Sequence, residues 1–211
     1  MSSDFDHFLW GVPDLDDGIA QFSDMTGVQP IIGGSHPGIG TRNALASLGA
    51  NIYFEIIAPD PAQQLEGTLG EEIGSLQAPS LMTMALRAPD LAGIAAIYTA
   101  HGIEVDQSDE GRRTPDGDML SWSLCEPRHE MRPMDPRWPF YIDWKNTPHP
   151  SSVTPIGCQF KSISFSGPDA AEIKKLWRAL GVPARFDESD KYNVALLIDT
   201  PEGEIRFDGV F

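Results

Sequence analysis

Asp4-Phe-Asp-His-Phe-Leu-Trp-Gly-Val-Pro-Asp14 is the stretch from which the rest of the chain can be read. It has the pattern of a short buried strand that runs into a helix start at Pro13-Asp14-Leu15. Strict alternation puts Phe5, His7 and Leu9 on one face and Asp6, Phe8 and Trp10 on the other. Asp14 is a natural N-cap, and Asp16 and Asp17 suit the positive end of a helix. The Pro-Asp helix start returns in Arg87-Ala-Pro-Asp-Leu91 and Ser166-Gly-Pro-Asp-Ala170. Each following helix stops at a matching pair: Gly27-Val28, Gly102-Ile103 and Gly181-Val182. The echo divides the chain into three β-α-β-β-β units, at residues 1–62, 80–146 and 156–211.

In the first unit the helix carries Leu15, Ile19, Phe22 and Met25 as its apolar stripe. A second strand is predicted at 28–32, then a flexible Gly-rich loop at 33–40, and strands at 41–48 and 52–57. The second unit repeats the order, with a strand at 81–86, a helix at 90–101 and a final strand at 140–144. Its residues 106–110 read as a solvated acidic run, and Arg112-Arg-Thr-Pro-Asp-Gly117 as a turn with Pro-Asp-Gly as its signal. The third unit has strands at 160–165, 192–198 and 205–207 around a helix at 169–180. The fold class is α+β. A curled sheet with a helix on one face leaves its concave face open until a second unit closes it, so two units make a half-open barrel around a cavity. A third unit packs elsewhere, caps the barrel or pairs across an oligomer; the sequence does not choose.

Composition narrows the function. The 211 residues carry a formal net charge of −16, which argues against nucleic acid and anionic membrane surfaces. The same charge suits a neutral or cationic ligand. Cys125 and Cys158 are isolated, as in a reducing compartment, and no apolar run approaches a membrane span. A cytoplasmic protein is expected.

Several stretches together resemble the vicinal oxygen chelate superfamily, and within it the glyoxalase-like domain proteins. They are Phe5-Asp-His7, His36-Pro-Gly-Ile-Gly-Thr-Arg-Asn43, Leu48-Gly49, Tyr53-Phe-Glu55 with Pro59-Asp-Pro61, and Pro139-Phe-Tyr-Ile-Asp-Trp144 followed by His149-Pro150. The superfamily places a metal ligand on the first and last strands of each paired unit. Carried over, the resemblance implies His7 and Glu55 as ligands of a divalent ion (Zn, Mg, Mn or Fe), with Asp143 as a third. The later units depart from the pattern: Thr83 and Ser162 stand where His7 stands in the first. Without a metal, His7 and Glu55 would form a base oriented by a carboxylate.

For each residue a bland reading stands beside the chemical one. His7 between Phe5 and Leu9 is either a core histidine satisfied by a carboxylate or a catalytic group with Glu55. Thr41, Asn43 and Tyr53 face a ligand or complete the core. His36 is a loop histidine packed on Pro37 or a residue of a closing lid. Asp143 is an edge carboxylate or a ligand, and His149 a positional residue or part of the cavity mouth. His129-Glu130 reads as an exposed dipeptide, and His101 as a helix-end residue.

The resemblance implies an enzyme of glyoxalase-like type, a lyase, isomerase or dioxygenase, acting on a small carbonyl or vicinal-oxygen metabolite. The alternative is a non-catalytic protein that sequesters a small molecule. A homodimer, formed through the third unit, is a further expectation.

Overall fold

The computed structural model describes residues 4–113, 119–128 and 134–210. Residues 114–117 of the predicted turn and the His129-Glu130 pair lie outside the described residues; Arg112 and Arg113, placed in that turn, end a strand instead. Strand β1 (Asp4–Gly11) leads into helix α1 (Leu15–Thr26), whose start is capped as its sequence requires. The Asp14 carboxylate accepts from the backbone N–H groups of Asp16 and Asp17, and Gly27 closes the helix at φ 71°, a left-handed conformation natural to glycine. Strands β2 (Ile31–His36), β3 (Thr41–Ser47) and β4 (Tyr53–Pro59) follow.

Helix α2 (Leu69–Gly74) then leads to β5 (Ser80–Arg87), α3 (Leu91–Ala100), β6 (Val105–Arg113), β7 (Met119–Pro127) and β8 (Phe140–Asp143). A single 3-10 turn at Pro150–Ser152 precedes β9 (Gln159–Gly167), α4 (Ala170–Ala179), β10 (Arg185–Glu188), β11 (Asn193–Thr200) and β12 (Gly203–Val210).

The first two sets of strands form one eight-stranded sheet in the order β2-β3-β4-β1-β5-β8-β7-β6. Its two halves mirror each other. In each, the first strand lies parallel to the last (β1 with β4, β5 with β8), and the halves join where β1 meets β5 antiparallel. The sheet curls into the half-open barrel, with an apolar cluster of Leu9, Ile57, Ile73, Ala85 and Ile142 lining its inside.

The third set repeats the order of elements but not their pairing. Its four-stranded sheet runs β10-β9-β11-β12, so the strand after the helix returns beside β9 instead of crossing to a far edge. This sheet packs on the outer side of the barrel. Phe207 meets Trp10 at 5.3 Å and Phe54 at 4.6 Å between ring centroids, and Phe160 stacks on Phe8 at 5.4 Å. One continuous core therefore holds the convex side of the barrel, α1, α3 and the third sheet.

Two predicted segments are corrected. The Gly-rich stretch is not a free loop: β2 extends through Gly33, Gly34 and Ser35 to His36, because Ser35 pairs with Arg42 and His36 with Thr41. The acidic run at 106–110 is strand β6, whose residues pair in register with β7. Charged side chains are tolerated there because an edge strand leaves one side open to water.

Candidate active site

His7 and Glu55 come together on the inner face of the barrel, where β1 and β4 run side by side. The His7 Nε2 atom lies 3.6 Å from Glu55 Oε2, and both residues are almost wholly buried. The His7 ring stacks on Tyr53 at 4.5 Å, with Phe140 edge-on at 5.4 Å. These four residues line one cavity of about 120 Å³, open at one side.

The other ring nitrogen of His7 is held from behind. Nδ1–H donates to Asp6 Oδ1 at 2.6 Å. Alternation had put Asp6 on the opposite face. The register of β1 against β5 slips between Phe5 and His7, so Asp6 is an extra residue in the strand. This bulge turns Phe5 into the outer core and leaves the Asp6 carboxylate beside the imidazole.

Asp6 is fully buried and also accepts from His149 Nε2 and Trp144 Nε1, each at 3.0 Å, and from Arg87 Nη1 at 3.1 Å. Burial by itself raises its pKa. The hydrogen bonds from His149 and His7, with their charges, more than reverse this and hold the carboxyl well below the usual carboxylate range. Asp6 is therefore ionised, fixes the His7 proton on Nδ1, and leaves Nε2 as an acceptor aimed at the cavity.

Glu55 is positioned by a second network. Asn43 Nδ2 donates to Glu55 Oε1 at 2.8 Å, while Asn43 Oδ1 accepts from the Gly34 N–H at 2.9 Å. That backbone donor sets which way the amide points. Gly33 is required beside it, since a Cβ there would overlap the Asn43 amide oxygen. His36 Nδ1 bonds to Thr41 Oγ1 at 2.8 Å, and Asn43 Nδ2 approaches His36 Nε2 at 3.3 Å. His36 is thus held in the cavity wall by Thr41 and Asn43.

Of the residues singled out from sequence, His7, His36, Thr41, Asn43, Tyr53 and Glu55 line the one cavity. His149 stands behind it, bonded to Asp6, with Pro150 at the rim. Asp143 does not join. Phe140 and Ile142 of β8 point into the cavity, so by alternation Asp143 faces the opposite side, near Ser123 and Leu91. Its carboxylate accepts from the Lys145 N–H instead.

Asp6, Trp122, Trp144 and Glu126 were not foreseen. Asp6 needed the bulge. The other three share strand or strand-end positions whose inward face the sequence alone left undetermined.

The donor set does not fit a divalent metal. Where the second half of the barrel would supply ligands, it presents Thr83 on β5 and Phe140 and Ile142 on β8. His7 Nδ1 and both nitrogens of His36 are engaged in hydrogen bonds. Among the described residues, no group of three or more His, Cys, Asp or Glu side chains is arranged to hold a metal ion. Among them, too, no helix is long and apolar enough to cross a membrane.

A family model for the glyoxalase-like domain matches residues 5–181. Among solved structures, a hypothetical protein from Staphylococcus aureus aligns with 99% of this chain and 86% of its own, at 16% identity and a TM-score of 0.65. A variant of 4-hydroxymandelate synthase from Streptomyces coelicolor aligns with 99% of this chain and 62% of its own, at 11% identity and a TM-score of 0.53. Methylmalonyl-CoA epimerase from Mycobacterium tuberculosis aligns with 71% of this chain and 92% of its own, at 19% identity and a TM-score of 0.45. At these identities the likeness is one of fold. No curated protein matches the sequence.

Proposed function

This chain belongs to the glyoxalase-like domain family of the vicinal oxygen chelate superfamily, and from that premise we propose that it is an enzyme moving a proton next to the carbonyl of a small oxygenated metabolite. The observation that carries the reading is the Asp6–His7–Glu55 arrangement. An ionised, buried carboxylate sets the tautomer of His7, and the free Nε2 faces the cavity beside a second carboxylate.

In the proposed step, His7 Nε2 takes the proton from the carbon next to the carbonyl. The C–H electron pair moves into a C–C double bond, and the carbonyl electrons move onto oxygen, giving an enolate. The imidazolium then returns its proton to either end of that unit. Glu55 Oε2, 3.6 Å from Nε2, stabilises the imidazolium while the proton is held. The buried surroundings strengthen this pairing. Thr41 and Asn43 orient the ligand from β3. The step needs no metal, in keeping with the donor set.

Deuterium entry from solvent tests the proposal. The purified protein is incubated in D2O with a panel of small ketones and hydroxyketones, and exchange at the carbon next to the carbonyl is followed by NMR. Exchange that disappears in His7→Ala and falls in Glu55→Ala is expected. Variants that exchange at the wild-type rate end the proposal. A second reading, binding without turnover, draws support from the aromatic walls Trp122 and Trp144. In that case ligands bind one-to-one and no deuterium enters.

A further inference from the structure

The wall of the cavity opposite His7 and Glu55 has a different chemistry. It comes from β6 and β7, the far edge of the sheet. Trp122, Leu124 and Glu126 stand two apart on β7 and all face the cavity. Their cross-strand neighbour Glu110, paired with Trp122, also lines it. Trp144 comes in beside Trp122, with ring centroids 5.5 Å apart and planes tilted by 54°.

No lysine or arginine lines the cavity among the described residues. The described cations nearby are already paired. Arg128, two residues beyond Glu126, is bound to Asp106 and Glu104; Arg87 is bound to Asp6 and the Asn51 carbonyl; Lys145 is bound to Asp109. The Glu126 carboxyl makes no hydrogen bond or ion pair with another described residue. Burial, with the charges of Glu110 and Asp106 adding, pushes its carboxyl up to about 7. The wall thus presents two carboxyl groups with no cationic partner among the described residues, next to two indole faces. Aromatic faces and carboxylates together are the surroundings that favour an organic cation. The net charge of −16 adds a field of the same sign over the molecule.

We propose that this wall receives the positively charged end of the substrate. The ligand is then an amino-ketone or a related organic cation, with its ammonium between Glu110, Glu126 and the Trp122–Trp144 pair and its carbonyl unit at His7 and Glu55. The inference rests on the acid–base reading for the carbonyl end only. The cation site itself depends on the opposite wall.

Three ketones of different charge test it on the full chain: aminoacetone and hydroxyacetone, which match in size, and the larger dihydroxyacetone phosphate. Calorimetric titration is expected to show aminoacetone binding at least about tenfold more tightly than hydroxyacetone, and no binding of the phosphate. Raising salt from about 20 to about 500 mM narrows the wild-type preference. In a folded Glu110→Gln, Glu126→Gln double variant the preference shrinks to about threefold or less. If that variant does not fold, the salt series on the wild type still decides.

Equal affinities, a preference for the phosphate, a salt-independent preference, or no binding of aminoacetone overturns the cation site. Deuterium exchange separates the two proposals. Exchange into hydroxyacetone without a preference for aminoacetone sinks the cation site and leaves the acid–base reading standing. A preference for aminoacetone with no exchange into any ketone does the reverse.

Discussion

Asp6 and His7 are neighbours on one strand, yet their side chains meet, with Asp6 Oδ1 2.6 Å from His7 Nδ1. Adjacent residues of a regular strand point to opposite faces. The bulge that brings these two together turns a lone core histidine into an oriented one. Replacing the carboxylate tests the orientation separately from the ring. Asp6→Asn keeps the shape and lets the imidazole take the wrong tautomer. Solvent deuterium exchange is expected to slow by about 10²- to 10⁴-fold, while circular dichroism stays that of the wild type. A wild-type exchange rate in the folded variant contradicts the role of Asp6.

Gly33 controls the site from a distance of one side chain. A methyl group there overlaps the Asn43 amide oxygen, and Asn43 holds Glu55. Gly33→Ala is expected to destabilise the protein by about 1–3 kcal/mol and to lower the exchange rate through Glu55. Thermal melts and exchange measured together check this. An unchanged rate in the folded variant would show that Asn43 finds another way to position Glu55.

Chelation separates the donor-set argument from the family expectation. The second half of the barrel presents Thr83, Phe140 and Ile142 where ligands would be needed, so exchange should persist within about twofold after dialysis against a chelator. Loss of exchange on chelation, restored by one divalent ion, would refute it.

Glu126 makes stability depend on pH. Its carboxyl is pushed up to about 7 in the folded protein by burial and by its acidic neighbours, against about 4.3 for an unfolded glutamate. Between those values the folded chain holds a proton that the unfolded chain has lost. The contribution of this group is greatest below about pH 4.3 and is lost as pH rises through about 7. Glu126→Gln removes that loss. The variant should gain stability relative to wild type at about pH 8, compared with the same difference at about pH 4. Urea unfolding at both values measures it, and an identical difference at each goes against the assignment.

Phe207 ties the third sheet to the barrel. Its ring is almost wholly buried against Trp10, Phe22 and Phe54. Truncation to alanine is expected to cost about 3–5 kcal/mol and to lower the melting temperature by roughly 10 °C. A loss below about 1 kcal/mol would mean that the sheet and the barrel are held together elsewhere.

The elements that follow local rules were legible in the chain. The Pro-Asp starts and Gly stops mark α1, α3 and α4, because caps are decided within a few residues. His7 and Glu55 could be paired because each sits mid-strand in an apolar run, where a polar side chain stands out. The edges were harder. β2 was misplaced because Gly33 and Gly34 have the composition of a loop and only their pairing with β3 makes them strand. β6 was not recognised as a strand, although its acidic side chains Asp106 and Asp109 are solvated as expected, because a charge-rich edge strand has the composition of a loop.

By itself, then, the sequence determined the class of fold, the β-α-β-β-β order repeated along the chain, and two residues, His7 and Glu55, that meet in one cavity. Tertiary structure decided the rest. It set the third sheet on the outer side of the barrel, with its own strand order. It turned Asp143 away through the alternation of β8, and it brought Asp6 to His7 through one extra residue in β1. The physical reason is range. Caps and apolar periodicity act over a few residues and are written where they act. Strand register is a relation between segments far apart in sequence, and a shift of one residue moves a side chain to the other face of the sheet.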